Sequence, residues 1–343
     1  MPAAIIIDPV EATLSAEERA LFRDLDPLGF ILFARHIKSP QQVRALTAEL
    51  RDLVGRPDAP ILIDQEGGRV QRLKPPTWRA APPARTFGDR ASRDLAQARR
   101  AVFLNHRLLA AELLDLGIDV DCAPVVDLAH AGAHQVIGDR AYGGDPLLVA
   151  DLGRAAMEGL LAGGVQPIVK HIPGHGRALV DSHHALPRCA TPLPELIATD
   201  FLPFRLLRDA PWAMTAHVVF EAVDPTQTAT TSARVIEEVI RGHIGFDGLL
   251  ISDDLLMRAL ADPDGSNARD PVTEGARKAI AAGCDLLLHC NGTLEEKRRI
   301  ATATPPMNAE AERRFRRARA QVAAAERVSP PQVAELDGLL ANA

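Results

Sequence analysis

The chain has 343 residues, of which 47% are hydrophobic and 24% charged, a composition typical of a folded globular protein rather than a disordered one. Its formal net charge of −6 argues against a nucleic-acid binder, because such proteins usually carry a basic excess. The N-terminal apolar run ends at Asp8, too early for a signal peptide, and no run of about 18 apolar residues follows. We therefore expect a cytoplasmic protein without a membrane span.

Eight short apolar runs, many of them rich in β-branched residues, recur along the chain and predict β-strands. In chain order they are residues 3–8, 29–35, 60–65, 118–128, 165–171, 212–220, 248–254 and 284–290. Helical periodicity fills the segments between them, most clearly at residues 15–25, 39–54, 94–117 and 145–164.

Nearly all-apolar strands that alternate with amphipathic helices predict a parallel sheet covered by helices. Eight such units without a Gly/Ser-rich linker favour one catalytic (β/α)8 barrel domain over residues 1–343. The alternative is a doubly wound open sheet, but DQEGGRV (64–70) does not supply the dinucleotide-binding G-x-G-x-x-G motif. A last helix at about 307–328 runs toward Pro330 and is expected to pack outside the barrel.

No metal site is predicted, because neither an H-x-H strand motif nor an H-E-x-x-H helix motif occurs in the sequence. His171 and His175 have helical spacing, but Pro173 and Gly174 between them exclude a regular helix. The cysteines form no CxxC pair, so we expect buried free thiols. These cysteines are Cys122, Cys189, Cys284 and Cys290.

Polar residues stand at or just after the predicted strand ends, which is where the active site of a (β/α)8 barrel lies. They are Asp8, Arg35, His36, Asp64, Glu66, Asp127, Lys170, His171, His217, Ser252, Asp253, Asp254, His289 and Asn291. Such a mixture suits a sugar, because each hydroxyl must regain the hydrogen bonds that it made to water.

Two of these positions permit more than one interpretation. Lys170 could form a Schiff base, but a cation that binds sugar hydroxyls is favoured because no neighbour clearly depresses its pKa. Cleavage of a glycosidic bond needs a carboxylate nucleophile, for which Asp253 and Asp254 are candidates. Strand alternation predicts that only one of these two carboxylates faces the substrate.

Long motifs resemble the bacterial β-N-acetylhexosaminidases of glycoside hydrolase family 3, and in particular the short cytoplasmic members that act in cell-wall recycling. These motifs are IDQEGGRVQRL (63–73), KHIPGHG-x4-DSH-x2-LP (170–187) and GFDGLLISDDLLM (245–257). The likeness extends from residue 29 to residue 291, which is nearly the whole chain.

The resemblance implies that Asp253 is the nucleophile and that His183, oriented by Asp181, is the general acid/base. A carboxylate bonded to one imidazole nitrogen fixes the tautomer and raises the pKa of the other nitrogen. A helix N-cap is the alternative role for an aspartate here, and it suits Asp254 better. His184 lies outside the motif and is expected at the surface.

The resemblance also implies five sugar-binding residues: Asp64, Arg72, Arg140, Lys170 and His171. An ion pair between Arg72 and Glu66 is an alternative that could coexist with sugar binding. Asp127 and His175 are expected to shape the pocket.

The sequence therefore predicts a retaining exo-β-N-acetylglucosaminidase without metal or organic cofactor and without an obligate protein partner. By resemblance, its substrate is N-acetylglucosamine joined to 1,6-anhydro-N-acetylmuramic acid, with or without peptide. A phosphorylase, a broader β-glucosidase or hexosaminidase, and a catalytically silent sugar-binding barrel are the alternatives.

Overall fold

The computed structural model of the protein describes residues 1–132, 136–178, 186–256, 270–322 and 330–341. Eight parallel strands in this part of the chain close into a barrel, in which neighbours in the chain are neighbours in the sheet and the last strand pairs with the first. The predicted (β/α)8 barrel is confirmed. Barrel strands 1 to 8 are Ala3–Ile7, Pro27–Leu32, Ile61–Ile63, Val120–Asp121, Gln166–Ile172, Trp212–Thr215, Leu249–Asp254 and Leu286–His289.

Helices follow the strands and begin at the residues that the sequence marks. Ser15 and Glu18 form a capping box at the first helix, and Asp145 with Pro146 opens the fifth. Helices α1 to α7 are Ala16–Leu25, Pro40–Leu53, Ala84–Ala91, Leu95–Asp115, Pro146–Ala162, Leu193–Ala198 and Leu202–Leu206. Helices α8 to α11 are Pro271–Ala282, Leu294–Ala303, Ala309–Ala320 and Pro330–Ala341, and Val235–His243 forms a wider helix of the π type.

The barrel strands are apolar on both faces because each face packs against a different layer. Ile6 and Leu62 belong to the cluster that fills the barrel, whereas Ile7 and Ile63 pack toward the helices. All four cysteines are free and buried, as predicted. Among the described helices, none combines the length and apolar character that crossing a membrane requires.

Two departures from the predicted strands bring polar residues to the C-terminal end of the barrel. The apolar run 212–220 divides after Thr215, and Val219–Phe220 pairs instead with Arg188–Cys189 outside the barrel. After strand 3, Gln65–Gly67 and Val70–Gln71 form an antiparallel hairpin. His217 and the residues around this hairpin therefore lie on loops above the strands.

Helix α10 lies across the N-terminal end of the barrel. The ring of Phe315 packs edge-on against Trp212, the first residue of strand 6, with centroids 6.0 Å apart. Arg314 and Arg317 bind Asp285 and Asp247, which precede strands 8 and 7. The helix thereby covers the apolar interior at the end opposite the polar strand termini.

The C-terminal segment differs in extent from the predicted helix at about 307–328. Helix α10 ends at Ala320, Gln321 and Val322 lie beyond it, and residues 323–329 are outside the described part of the chain. Pro330, interpreted as a stop signal, instead begins helix α11, because proline is tolerated in the first turn of a helix. Helix α11 packs along α4, where Arg100 pairs with Glu335.

Phe315→Ala should lower the free energy of unfolding by about 2 kcal/mol, because the half-buried ring contributes its apolar area and its edge contact with Trp212. Urea denaturation followed by circular dichroism measures the change. Arg316→Ala on the exposed side of the same helix is the control and should cost less than about 0.5 kcal/mol. Equal losses in the two variants would contradict a structural role for the Phe315 contact.

Candidate active site

The C-terminal ends of the barrel strands open into a pocket of about 380 Å³. The nucleophile and the five sugar ligands predicted from the sequence all line this pocket. They are Asp64, Arg72, Arg140, Lys170, His171 and Asp253. The structure thus brings these six side chains together, and their individual roles stay predictions.

Lys170 on strand 5 joins two carboxylates that follow strand 3. Its Nζ lies 2.8 Å from Oδ1 of Asp64 and 2.8 Å from Oε1 of Glu66, and its side chain is 2% exposed. Burial alone would lower the pKa of Lys170, but the two carboxylates raise that pKa well above its ordinary value. Lys170 is therefore held as a protonated donor, which favours sugar binding over a Schiff-base role.

Two arginines complete this charged network. Arg140 donates from Nε and one terminal nitrogen to the two oxygens of Glu66, both at 2.8 Å. Burial would raise the pKa of Glu66, but Arg140 and Lys170 hold that pKa at about 2. Glu66 was identified in the sequence as a strand-end polar residue and as a possible partner of Arg72, and its central place in the network was missed.

The suggested ion pair between Arg72 and Glu66 is wrong. Arg72 instead donates to Oδ2 of Asp64 at 2.9 Å. The hairpin explains this choice, because its register pairs Gln65 with Gln71 and so returns Arg72 beside Asp64.

The carboxylate of Asp127, which follows strand 4, binds the end of strand 5 and the loop after it. Its Oδ2 lies 2.6 Å from Nδ1 of His171, and its Oδ1 accepts the backbone N–H of His175 at 2.7 Å. A carboxylate at Nδ1 places the proton of neutral His171 on that nitrogen and leaves Nε2 available to a ligand. The predicted pocket-shaping role of Asp127 follows from these contacts.

Both aspartates at the end of strand 7 are among the residues that line the pocket, and the expectation that only one carboxylate faces the substrate stays a prediction. The pairing register between strands 7 and 8 shifts between Ile251 and Asp254, and this irregularity interrupts the alternation of side chains. The Asp254 carboxylate accepts the backbone N–H groups of Leu256 and Cys290 at 3.2 and 3.0 Å. Asp254 therefore anchors the strand end, while Asp253 accepts only the N–H of Asp254, at 2.8 Å, in the described part of the chain.

The two aspartates differ in protonation although they are adjacent. Burial would raise the pKa of Asp253, but electrostatic interaction with the neighbouring His171 and His217 holds that pKa below its ordinary value. Burial raises the pKa of Asp254 to about 7, and the charge of Asp253 adds to this effect. At neutral pH, Asp253 is therefore the fully ionised carboxylate that a nucleophile must be.

The predicted acid/base pair, Asp181 and His183, lies outside the described residues, as does His184. The segment that leads to them is described up to Ala178. There Arg177 binds Asp200, with its Nε 2.7 Å from Oδ2, and also binds Glu195.

Sequence reasoning missed the apolar part of the pocket wall. Phe33, which follows strand 2, and Met214 on strand 6 line the pocket beside Ile31 and Leu288. Phe33 lies within the GFILFAR run, but periodicity could not distinguish a strand residue from one just beyond the strand end. Among the described residues, no group of three His, Cys, Asp or Glu side chains is arranged to hold a metal ion.

The sequence profile of the glycosyl hydrolase family 3 N-terminal domain matches residues 6–324. The chain belongs to glycoside hydrolase family 3. A β-hexosaminidase of Alkalilimnicola ehrlichii is 42% identical over 280 residues, covering 81% of this chain and 78% of that protein. A β-hexosaminidase of Pseudomonas aeruginosa is 38% identical over 312 residues, covering 89% of each.

Solved structures of this family agree with the sequence comparison. NagZ from Neisseria gonorrhoeae, in complex with N-trifluoroacetyl-D-glucosamine, has a TM-score of 0.86 and 31% sequence identity. The match covers 99% of this chain and 98% of that structure. The expected family and the expected glycoside hydrolase class, of the β-N-acetylhexosaminidase type, are confirmed.

Asp121 on strand 4 lies beneath the charged network and supplies a test of its electrostatics. One of its oxygens accepts the N–H of Gln65 at 3.0 Å, and the other, buried, has no hydrogen-bond partner among the described residues. Burial raises the pKa of Asp121 to about 7, and the negative charges of Asp64 and Glu66 contribute to this rise.

A carboxyl whose pKa is raised on folding contributes stability at acidic pH and loses that contribution as pH rises from about 4 to about 7. Asp121→Asn removes this pH-dependent loss of stability, because the asparagine side chain does not titrate. The free energy of unfolding of the variant minus that of the wild type should therefore increase with pH. The increase should be at most about 1.4 kcal/mol per pH unit and should level off above pH 7. Urea denaturation between pH 4.5 and 8 measures this difference. The exposed control Asp52→Asn is measured alongside, and a difference for Asp121→Asn that stays flat with pH would contradict the assignment.

Proposed function

We propose that this protein is a retaining exo-β-N-acetylglucosaminidase in which Asp253 is the nucleophile and His183 the general acid/base. The observation that carries the proposal is the buried carboxylate of Asp253 on the wall of a pocket whose polar lining groups can hydrogen-bond to sugar hydroxyls. Two carboxyl-type groups normally share this chemistry, and here a histidine supported by Asp181 takes the place of the second.

The reaction proceeds in two steps that exchange one proton. Asp253 attacks the anomeric carbon, the glycosidic C–O bond breaks, and His183 gives its proton to the leaving oxygen. Water then attacks the same carbon and returns a proton to His183, and Asp253 leaves as a carboxylate. Two displacements restore the β configuration.

The charged network has unused hydrogen-bonding capacity for the hydroxyl groups of one sugar. The ammonium group of Lys170 donates to Asp64 and forms an ion pair with Glu66, which leaves at least one of its three N–H donors for a ligand. Each oxygen of Asp64 accepts one bond, from Lys170 or from Arg72, and can accept another. With Arg140 and His171, these groups can bind a non-reducing terminal sugar, which supports exo action.

The identity of that sugar is proposed from the relatives. NagZ of Neisseria gonorrhoeae holds N-trifluoroacetyl-D-glucosamine, so an N-acylated glucosamine is the natural occupant to propose for the pocket of this chain. The resemblance of the sequence motifs supports N-acetylglucosamine β-1,4-linked to 1,6-anhydro-N-acetylmuramic acid, with or without its peptide. We place this reaction in cytoplasmic recycling of the cell wall.

Trapping with a 5-fluoro N-acetylglucosaminyl fluoride tests the nucleophile. The fluorine slows the second step more than the first, so a covalent ester should accumulate on Asp253 and be found by peptide mapping in a mass spectrometer. Asp253→Ala should take up no label, whereas Asp254→Asn, the neighbouring control, should still be labelled. Label on any residue other than Asp253 would overturn the assignment.

Leaving-group dependence tests the acid. His183→Ala should lower kcat/KM by about 10²- to 10⁴-fold on the natural disaccharide, because its poor leaving group needs a proton. On a 2,4-dinitrophenyl glycoside, whose leaving group needs none, the loss in the first step should be far smaller. The neighbouring variant His184→Ala serves as control and should retain activity on both.

Equal losses of the His183 variant on both substrates would mean that His183 is not the acid. Repeating the assay in phosphate buffer distinguishes hydrolysis from phosphorolysis. Free N-acetylglucosamine is the expected product, and sugar 1-phosphate would identify a phosphorylase instead.

A further inference from the structure

A second charged cluster lies beside the pocket, at the ends of strands 1, 2 and 8. Asp8 is fully buried, and its carboxylate binds both Lys297 and Arg35. Lys297 is also fully buried, whereas the Arg35 side chain is 33% exposed. Two cations thus share one carboxylate, and the excess positive charge lies at the accessible guanidinium of Arg35.

Arg35 does not itself line the pocket but contacts two residues that do, Asn291 and Phe33. Its three nitrogens donate to the carbonyl of Val10 at 3.2 Å, to Oδ1 of Asn291 at 2.6 Å and to Asp8. Its guanidinium carbon also lies 5.0 Å from the centroid of the Phe33 ring. Three of the five N–H groups of a guanidinium are accounted for within the described residues, so two can bind a ligand.

Phe33 relates this cluster to the sugar site. Phe33 and Asn291 both line the pocket, and Arg72, a predicted sugar ligand, lies 5.3 Å from the centroid of the same Phe33 ring. The ring of Phe33 therefore contacts both the guanidinium of Arg72 in the sugar site and the guanidinium of Arg35 in the second cluster. Arg35 stands next to the sugar site but outside the set that binds the first sugar.

The backbone conformation of Asn291 allows it to bind both Asp8 and Arg35. Its backbone has φ of 61°, a left-handed conformation that asparagine tolerates better than most residues. In this conformation its backbone N–H donates to Asp8 at 3.1 Å while its side-chain oxygen accepts from Arg35. Its side-chain amide N–H groups are then available as donors at the pocket wall.

We infer that Arg35, positioned by Phe33, Asp8 and Asn291, forms a subsite for an anionic group on the second sugar of the substrate. This inference rests on the proposed function, because it concerns the leaving group of that reaction. The chemistry that fits is a pyranose bearing a carboxylate, since a fixed guanidinium with two free N–H groups binds a carboxylate in two parallel bonds. Neutral aglycones gain nothing from this subsite.

A matched pair of substrates tests the subsite: the disaccharide of N-acetylglucosamine and 1,6-anhydro-N-acetylmuramic acid, and its methyl ester. Wild-type protein should have a several-fold lower KM for the acid than for the ester. Arg35→Gln should raise KM for the acid by about tenfold. It should change KM for the ester, and kcat for both substrates, by less than twofold. Arg35→Lys should restore part of the loss, because it keeps the charge but not the fork geometry.

The control variant is Arg44→Gln, which removes an exposed arginine that binds Asp115 on the outside of the barrel, and it should leave all four constants unchanged. 4-Nitrophenyl N-acetyl-β-D-glucosaminide, a neutral substrate, should be hydrolysed alike by wild type and Arg35→Gln. Equal KM values for acid and ester in wild type, or equal losses on both in Arg35→Gln, would overturn the inference.

Failure of the proposed function gives a different result. It would appear as absence of hydrolysis of the nitrophenyl glycoside by wild-type protein. Calorimetric titration with the intact disaccharide acid and ester on the Asp253→Ala variant does not depend on turnover. The titrations are made with Asp253→Ala alone and with the double variant that also carries Arg35→Gln. Tighter binding of the acid than of the ester, lost in the double variant, supports the subsite. Equal binding of acid and ester by Asp253→Ala refutes it.

Discussion

The buried ammonium group of Lys170 is the interaction on which the rest of the site depends. A lysine with 2% of its side chain exposed is compatible with folding only if its charge is matched nearby, and Asp64 and Glu66 do so at 2.8 Å each. Those carboxylates in turn bind Arg72 and Arg140. The side chains that line the pocket are therefore fixed by one another before any sugar enters, which is the preorganisation that electrostatic catalysis and binding require.

Most of the fold could be predicted from the sequence, because strands that are buried on both faces leave a plain signal. Runs of apolar residues such as 284–290 cannot be half-exposed strands, and eight of them between amphipathic helices leave few architectures. The polar residues at the strand ends were identifiable for the same reason, since the barrel dictates where such ends converge. Pro330 was misinterpreted because proline is common both just after the end of a helix and in the first turn of a helix, and the sequence alone does not distinguish the two positions.

The site was less predictable where it depends on register. Arg72 pairs with Asp64 because of the hairpin register, and the register of strand 7 shifts against strand 8 just where the two aspartates stand. Neither register has a signature in residue spacing. The acid/base pair, Asp181 and His183, was predicted from the resemblance to the family alone, and no geometric argument from periodicity could have assigned it.

The charge balance of the pocket also bears on the proposed two-step reaction. Lys170, Arg72 and Arg140 are balanced by Asp64 and Glu66 except for one positive charge, and ionised Asp253 supplies the missing negative one. In the proposed mechanism, Asp253 becomes a neutral ester after the first step, so the pocket loses one negative charge. The proposed acid/base, once protonated, would then lose its proton more readily, because removal of a negative charge disfavours the positively charged form. In that mechanism the acid/base histidine would act as an acid while Asp253 is free and as a base once Asp253 is esterified, because the charges of the network around Lys170 stay fixed and only the charge of Asp253 changes.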